Sequence, residues 1–132
     1  MDNLKHVNDT YGHAQGDKAI RSIAHCLHKQ FRSTDIIGRL GGDEFIVFLP
    51  NLSTSTNVNQ YLSRMLDKLS EIHIGENNEV GIHCSAGCTL GTALIDTFDI
   101  MYKRADLALY YVKRNGKSSF ALYTEAMKNL NQ

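Results

Sequence analysis

The sequence predicts an α+β fold in which helices pack on an antiparallel-rich sheet, and three observations support this prediction. Apolar residues recur at the helical period in three stretches, and short runs of β-forming residues lie between and after them. The chain has 132 residues, enough for one domain with a core of its own. Helices and strands that alternate on this scale are typical of a sheet covered by helices.

Each helical stretch has one apolar face, and the stretches cover residues 17–31, 54–72 and 100–114. Asp17 is a candidate N-cap of the first helix, and Ser53 or Thr54 of the second, because their side-chain oxygens can accept hydrogen bonds from free backbone N–H groups. Asn115-Gly116 is typical of a helix end and closes the third helix. Segment 4–16 predicts a short helix and a turn at glycine and histidine.

Five β-rich runs are bounded by turn residues and cover residues 35–40, 45–49, 80–86, 88–93 and 119–123. The first two runs flank Gly41-Gly42-Asp43-Glu44, which predicts a hairpin because glycine tolerates the positive φ of a tight turn. The next two runs are predicted to pair with each other around Gly87. The last run closes the series.

Fourteen Lys and Arg residues balance fourteen Asp and Glu residues, so no broad basic surface is available to long nucleic acids. A small phosphate ligand is compatible with this balance. No apolar run is long enough to span a membrane, and the residues after Met1 are too polar for a signal peptide. We therefore expect a cytoplasmic domain without membrane contact. Three cysteines without C-x-x-C spacing are expected to be reduced and buried: Cys26, Cys84 and Cys88.

The strongest candidate site is the tip of the predicted hairpin, where Asp43 and Glu44 follow two glycines. Adjacent carboxylates repel each other unless a cation lies between them. Oxygen ligands with room for water suit Mg²⁺ together with a polyphosphate. A solvated acidic turn is the alternative interpretation, and the Gly-Asp-Glu sequence alone favours it.

Two further pairs of polar residues suggest a nucleotide. Asn8 and Asp17 are candidate guanine contacts, because a carboxylate accepts from the N1 and N2 hydrogens of guanine and an amide both donates and accepts along the same edge. Helix capping by Asp17 is the alternative, and both roles can coexist. Lys113 and Lys117 lie four residues apart across the end of the third helix, where ammonium groups could contact phosphates. A solvated basic face is the alternative there.

Several segments follow one another in the order of a known family pattern: Asp2-Asn3-Leu4-Lys5-His6-Val7-Asn8-Asp9, Gly12-His13, Gly16-Asp17, Arg39-Leu40-Gly41-Gly42-Asp43-Glu44-Phe45, Ala105-Asp106-Leu107-Ala108-Leu109-Tyr110, Lys113 and Gly116-Lys117. Together they resemble the GGDEF family, the diguanylate cyclases. The resemblance implies a fold like the palm of nucleotidyl cyclases and polymerases, a ferredoxin-like sheet with packed helices. It also implies condensation of two GTP molecules into cyclic di-GMP with release of pyrophosphate, two Mg²⁺ or Mn²⁺ ions per active site, and a homodimer for catalysis.

The resemblance assigns a role to each matching residue. Asp43 becomes a metal ligand, and Glu44 a second metal ligand and the candidate base for the attacking 3′-hydroxyl. Met1 takes the position that supplies a metal-binding backbone carbonyl. Substrate contacts fall on the phosphate-binding backbone of Asn3, Leu4 and Lys5, on the guanine contacts Asn8 and Asp17, on Gly41 and Gly42, and on the phosphate contacts Lys113 and Lys117. Arg32 and Asp35 match the R-x-x-D inhibitory site that binds the product.

The family pattern also includes a first helix, a first strand and an Asp one position before Met1, and this sequence contains none of them. We therefore expect a single GGDEF domain over residues 1–132 that is incomplete at its N terminus, with a C-terminal tail at 124–132. Low or absent cyclase activity is expected. The strands at 45–49 and 80–86 are expected to pair with each other or with a second copy.

Three functions fit the residues. The first is a diguanylate cyclase domain, fused in the full protein to sensory and phosphodiesterase domains. The second is a non-catalytic regulatory module that binds GTP or cyclic di-GMP. The third is a ferredoxin-like interaction domain with no nucleotide role.

Overall fold

The computed structural model describes residues 1–53, 55–92 and 94–130. The chain divides into two units, Met1–Cys84 and Ser85–Gln132, each with helices and strands of its own. The mixture of helices and short strands confirms the predicted α+β class. None of the described helices is long and apolar enough to cross a membrane.

Three helices build the first unit: α1 (Leu4–Tyr11), α2 (His13–Gln30) and α3 (Val58–Ser70). Gly12 separates α1 from α2 with a φ of 89°, so the chain turns at this glycine as predicted. The predicted N-cap at Asp17 is wrong. The carbonyl of Gly12 accepts hydrogen bonds from the backbone N–H groups of Gln15 and Gly16 at 3.2 and 3.3 Å, and α2 therefore begins one turn before Asp17.

Helix α3 begins later than its apolar pattern predicts. The side chain of Asn57 caps it by accepting a hydrogen bond from the backbone N–H of Gln60 at 3.1 Å. Ser53 is not the cap, because its hydroxyl accepts a hydrogen bond from the N–H of Ser55 at 3.3 Å within a separate turn. The other candidate, Thr54, lies outside the described residues.

The strands of the first unit form two antiparallel pairs. β1 (Ile36–Gly41) and β2 (Glu44–Phe48) make the predicted hairpin. β3 (His73–Ile74) pairs with β4 (Val80–Gly81). The sequence does not predict this pairing, because β3 has only two residues and too few apolar positions to be identified as a strand. Within the described residues β2 and β4 do not pair with each other, so the expected pairing between residues 45–49 and 80–86 is not observed.

The segment before α1 is hydrogen-bonded to the chain that follows β4. The N–H of Asp2 donates to the carbonyl of His83 at 2.6 Å. Asn3 uses both ends of its amide, since its Nδ2 donates to the carbonyl of Gly81 at 3.2 Å and its Oδ1 accepts from the N–H of His83 at 3.3 Å. The start of α1 is therefore fixed against this segment of backbone.

One apolar core lies in the first unit. Its members come from the inward faces of the helices and from β3, β4 and the residue after β4: Val7, Ala19, Ile20, Ile23, Leu27, Met65, Leu69, Ile74, Val80 and Ile82. The helical members of this list recur at the helical period, as the sequence predicts.

The second unit contains β5 (Ala86–Cys88), α4 (Phe98–Arg114), β6 (Phe120–Leu122) and a 3-10 helix (Glu125–Asn129). β5 and β6 are parallel, and α4 connects them. Thr97 caps α4 by accepting a hydrogen bond from the N–H of Ile100 at 3.3 Å, so this helix begins two residues before its predicted start. Met127 is buried with three residues of α4, so part of the predicted tail at 124–132 belongs to this core. The α4 residues are Leu107, Ala108 and Val112.

The predicted pairing of residues 80–86 with 88–93 around Gly87 is wrong. Gly87 lies inside β5 and does not form a turn. A Cβ atom at this position would lie 2.2 Å from the carbonyl oxygen of Ala105 and 2.3 Å from the backbone nitrogen of Leu109. Gly87 therefore allows β5 to lie directly against α4, whereas the sequence analysis assigned this glycine to a turn. The end of the predicted run, Ala93, lies outside the described residues.

Helix α4 ends in an unusual backbone turn. Gly116, Lys117 and Ser118 have φ values of 106°, 61° and 49°. Glycine adopts such values freely, whereas each side-chain-bearing residue in the left-handed region costs about 1–2 kcal/mol. The predicted helix end at Asn115-Gly116 is confirmed, because Asn115 is the C-cap.

Candidate functional site

The β1–β2 turn presents its two carboxylates beside bare backbone. Gly41 and Gly42 have φ values of 131° and 50°, and a Cβ atom at either position would meet nothing within 4 Å. The guanidinium of Arg39 donates from Nε and Nη2 to the carbonyl of Gly42 at 2.9 and 2.7 Å. This bidentate contact holds the turn, and the space over the glycines leaves it open to a ligand.

Asp43 is half-buried and Glu44 is exposed at the end of this turn. Neither forms an ion pair with any described residue. Two adjacent carboxylates without a protein cation fit a divalent ion that keeps water and phosphate oxygens among its ligands. The described residues contain no group of three or more His, Cys, Asp and Glu side chains that could hold a metal ion. These carboxylates would therefore need other oxygen ligands to complete a site.

Met1 lies next to this turn. Its amino group donates a hydrogen bond to the backbone carbonyl of Asp43 at 3.0 Å. Three residues of chain span at most about 11 Å, so the backbone N–H of Leu4 lies within that distance of the Met1 nitrogen. The hairpin turn and the start of α1 are therefore neighbours.

The N terminus of α1 offers free backbone donors. Asn3 is the N-cap residue, yet its side chain makes no capping hydrogen bond and no acidic residue lies in the first turn. The N–H groups of Leu4 and Lys5 belong to the first turn of a helix, where no intrahelical acceptor exists. Such donors, together with the helix dipole, favour a phosphate.

The Asn8 side chain packs against Gly16, the residue that precedes Asp17 in α2. A Cβ atom on Gly16 would lie 1.8 Å from the Oδ1 atom of Asn8, so only glycine leaves room for this side chain. The Oδ1 atom is buried and accepts no hydrogen bond from the described part of the chain. Asp17 is the next residue of α2 and is exposed. A buried acceptor beside an exposed carboxylate suits a ligand edge that carries several N–H donors.

Arg32 and Asp35 form a turn of their own after α2. The N–H of Arg32 donates to Oδ2 of Asp35 at 2.7 Å, and the guanidinium lies 3.6 Å from Oδ1. The Asp35 side chain is only 1% exposed, whereas that of Arg32 is 63% exposed. The arginine is therefore available to a ligand, and the aspartate mainly holds the turn.

Lys113 and Lys117 lie in the second unit. Lys113 occupies the last turn of α4, and Lys117 follows its end with the positive φ described above. Both side chains are exposed. The N–H of Lys117 donates to the carbonyl of Val112 at 3.1 Å, which ties this residue back to the helix.

The surroundings of Cys84 and Cys88 raise the pKa of their thiols. The pKa of the Cys84 thiol is raised to about 11, mainly by burial. The amino terminus acts to lower this pKa, and Asp2, Cys26 and Asp43 add smaller contributions that raise it. Burial also raises the pKa of Cys88. All three cysteines are free, as the sequence predicts, but they are partly exposed and not fully buried as expected. The raised pKa values keep the thiols of Cys84 and Cys88 protonated at neutral pH, so neither is a reactive thiolate.

Three structural supports of these sites are missed by sequence reasoning. They are Arg39, which holds the hairpin turn, Gly16, which admits the Asn8 side chain, and Asn3, which binds the backbone beyond β4. Of these three, only Arg39 could be identified from the sequence, because it lies two residues before the glycine pair whose turn it holds. The other two contacts join residues whose proximity depends on the tertiary fold.

Comparisons with known proteins agree with this geometry. The family profile described as diguanylate cyclase, GGDEF domain, matches residues 1–119. Diguanylate cyclase DgcP of Pseudomonas aeruginosa is 37% identical over 118 residues, which cover 89% of this chain and 17% of that protein. The chain thus spans a minor part of that relative.

Solved structures give the same result. The active GGEEF domain of a diguanylate cyclase from Vibrio cholerae superimposes with a TM-score of 0.82 at 30% identity, covering 94% of this chain and 78% of that one. The GGDEF domain of DgcB from Caulobacter crescentus, solved in complex with c-di-GMP, gives a TM-score of 0.78 at 26% identity, covering 92% and 72% of the two chains. With the intact Gly41–Phe45 signature at the tip of an open hairpin, these matches show that the chain belongs to the GGDEF family of diguanylate cyclase domains.

Proposed function

We propose that this chain is a diguanylate cyclase domain that binds GTP across the β1–β2 turn and the start of α1. The observation that carries the proposal is the hydrogen bond from Met1 to Asp43, because it brings two carboxylates and a helix N terminus close together. A divalent cation and a polyphosphate need this combination of charges. The reaction condenses two GTP molecules into cyclic di-GMP and releases two pyrophosphates, one from each attack of a 3′-hydroxyl on an α-phosphate.

The candidate residues divide the work of binding and catalysis in this proposal. The N–H groups at the start of α1 hold phosphate oxygens, and Asn8 with Asp17 selects guanine. Glu44 is the candidate base that accepts the proton of the attacking 3′-hydroxyl, since it is exposed and unpaired among the described residues. The two lysines of the second unit, Lys113 and Lys117, bind phosphate in the family pattern.

Metal dependence is part of the proposal. Asp43 and Glu44 would hold Mg²⁺ or Mn²⁺, two ions per site as the family pattern implies, with the Met1 carbonyl as a further ligand. A bound metal ion would lower the pKa of the attacking 3′-hydroxyl and neutralise the charge that develops on the α-phosphate. The Arg39 contact holds the backbone of the turn that carries these carboxylates, so the turn presents negative charge before a cation binds.

At the level of the whole protein, the proposal includes a homodimer that joins two GTP sites, and fusion to sensory and phosphodiesterase domains. GTP as substrate places the domain in the cytoplasm. No nucleic acid or membrane contact is needed.

A regulatory module that binds GTP or cyclic di-GMP without turnover is the second candidate. The absence of a cluster of three metal-ligating side chains among the described residues favours it for this chain. Titration of GTP and of cyclic di-GMP, each with and without Mg²⁺, followed by an assay for product, separates the two functions. Binding of GTP with product formation supports the cyclase. Binding without product supports the module, and no binding of either ligand contradicts both.

Guanine selectivity is expected to depend on Asp17. We expect Asp17→Ala to reduce the preference for GTP over ATP by about tenfold, because the base edge loses a charged acceptor. Competition of both nucleotides for a labelled GTP probe measures this preference. Asp9→Ala is the matched control, since Asp9 is exposed on α1. An unchanged preference in a normally folded Asp17→Ala variant would leave this residue without a role in recognition.

Product binding gives a separate test. Arg32→Ala is expected to weaken cyclic di-GMP binding by about tenfold or more, because an exposed guanidinium that can fork onto phosphate or guanine is lost. The turn survives, since Asp35 bonds to the backbone N–H of Arg32. Arg21→Ala on α2 removes another exposed arginine as control. Calorimetry at fixed ionic strength compares the variants, and equal product affinity in all three proteins contradicts the inhibitory-site assignment.

A further inference from the structure

The turn after α4 carries two side-chain-bearing residues with positive φ, Lys117 and Ser118, directly after Gly116. Backbone strain of this kind persists only where the surrounding contacts force it, and it is concentrated at ligand-binding positions. A simple connection between a helix and a strand does not require it, because glycine can make the same bend without steric strain. The identity of the contacts that force this turn is therefore informative.

Hydrogen bonds hold the turn from both sides. On the helix side, the N–H groups of Asn115 and Lys117 donate to the carbonyl of Val112 at 3.0 and 3.1 Å. On the strand side, the N–H of Ser118 donates to the hydroxyl oxygen of Ser85 at 3.0 Å. Ser85 is half-buried and directly precedes β5, so its hydroxyl is attached to a strand that packs tightly on α4. Lys117 thus lies between a helix end and a fixed hydroxyl.

We propose that Ser85 is a positioning residue for Lys117. It holds the strained turn in one conformation and so fixes the direction in which the ammonium group leaves the backbone. A flexible lysine loses rotational and backbone freedom when it binds a phosphate, and a prepared backbone reduces that loss. The inference rests on the proposed function, in which Lys117 contacts a phosphate of GTP.

The test is a double-mutant cycle read by the GTP dissociation constant in Mg²⁺ and, separately, by the affinity for inorganic pyrophosphate. Ser85→Ala is expected to weaken GTP binding by about three- to tenfold, the effect of one lost hydrogen bond. In a Lys117→Ala background the same change should have no further effect, because the two residues act on one contact. Ser85→Thr keeps the hydroxyl and should restore binding. Ser119→Ala, an exposed serine next to the turn, should leave the affinity unchanged.

Ser118→Gly provides an independent arm that does not depend on the folding of the Ser85 variants. Glycine relieves the positive φ, so the melting temperature should rise or stay level. The proposal expects GTP affinity to fall in this variant because the turn gains alternative conformations. A turn that serves only as a connection would instead give a more stable protein with unchanged affinity, and that result overturns the inference.

The phosphate contact of Lys117 and the positioning role of Ser85 are tested separately by these variants. If Lys117→Ala leaves GTP binding unchanged, the phosphate contact of the proposed function is wrong and the positioning role falls with it. If Lys117→Ala weakens binding but Ser85→Ala does not, or weakens it equally in the Lys117→Ala background, only the positioning role is overturned.

Discussion

Asp43→Ala and Glu44→Ala, placed in a chain with measurable cyclase activity, are each expected to abolish turnover, a loss of at least about a hundredfold. Both side chains lie on an open turn and carry the negative charge that a divalent cation requires. The fold should be unaffected. The contact that holds the turn joins Arg39 to the carbonyl of Gly42, and Met1 bonds to the backbone of Asp43, so neither contact involves the truncated side chains.

The measurement is the initial rate of cyclic di-GMP formation together with a melting curve for each variant. Glu76→Ala removes an exposed acidic side chain from the β3–β4 turn and is the matched control for charge. We expect it to be fully active. Near-normal product formation by either site variant, with an unchanged melting curve, would show that these carboxylates are a solvated turn.

Gly87→Ala is expected to have the largest effect on stability. A methyl group at this position would lie 2.2 Å from the carbonyl of Ala105 and 2.3 Å from the nitrogen of Leu109, so β5 and α4 must move apart. Forced overpacking of this kind costs about 1–3 kcal/mol of unfolding free energy, and here the obstacles are backbone atoms with little freedom to shift. Denaturant titration of both proteins measures the loss.

Gly38→Ala is the control for the general effect of replacing a strand glycine. A Cβ atom at Gly38 would lie 3.4 Å from Cγ2 of Ile46, an ordinary contact. We therefore expect a change of less than about 1 kcal/mol there, since the smaller freedom of the unfolded chain partly offsets any crowding. Equal stability of the Gly87→Ala and Gly38→Ala proteins would show that β5 does not need its close approach to α4.

The sequence predicts well those features that depend on neighbours along the chain. The β1–β2 hairpin is one example, because its strands and turn residues lie within one short segment and the glycines at positions 41 and 42 adopt the positive φ that a tight turn requires. The helix end at Asn115 is another. The family signature also depends on order and spacing, which tertiary structure does not alter.

Other features depend on contacts between distant segments, and these were predicted poorly. Gly87 permits a turn and a close helix contact equally well, and only the position of α4 decides between them. The cap at Asp17 fails for a local reason, because the sequence does not show which nearby residue starts the helix. Gly12 ends α1 and begins α2 at once, which places Asp17 inside the helix. The buried acceptor of Asn8 is likewise a product of the packing of α1 on α2.

The parallel pairing of β5 with β6 has a consequence for the order of folding. The β1–β2 hairpin can close as soon as its own turn forms, whereas Ala86 can meet Phe120 only after the whole of α4 has been placed between them. The long segment between them must be ordered before the favourable β5–β6 contacts can form. We therefore expect the β5–β6 pair to form more slowly than the hairpin. Protection of its backbone amides against hydrogen exchange therefore reports completion of the second unit, while protection of the hairpin reports only a local event.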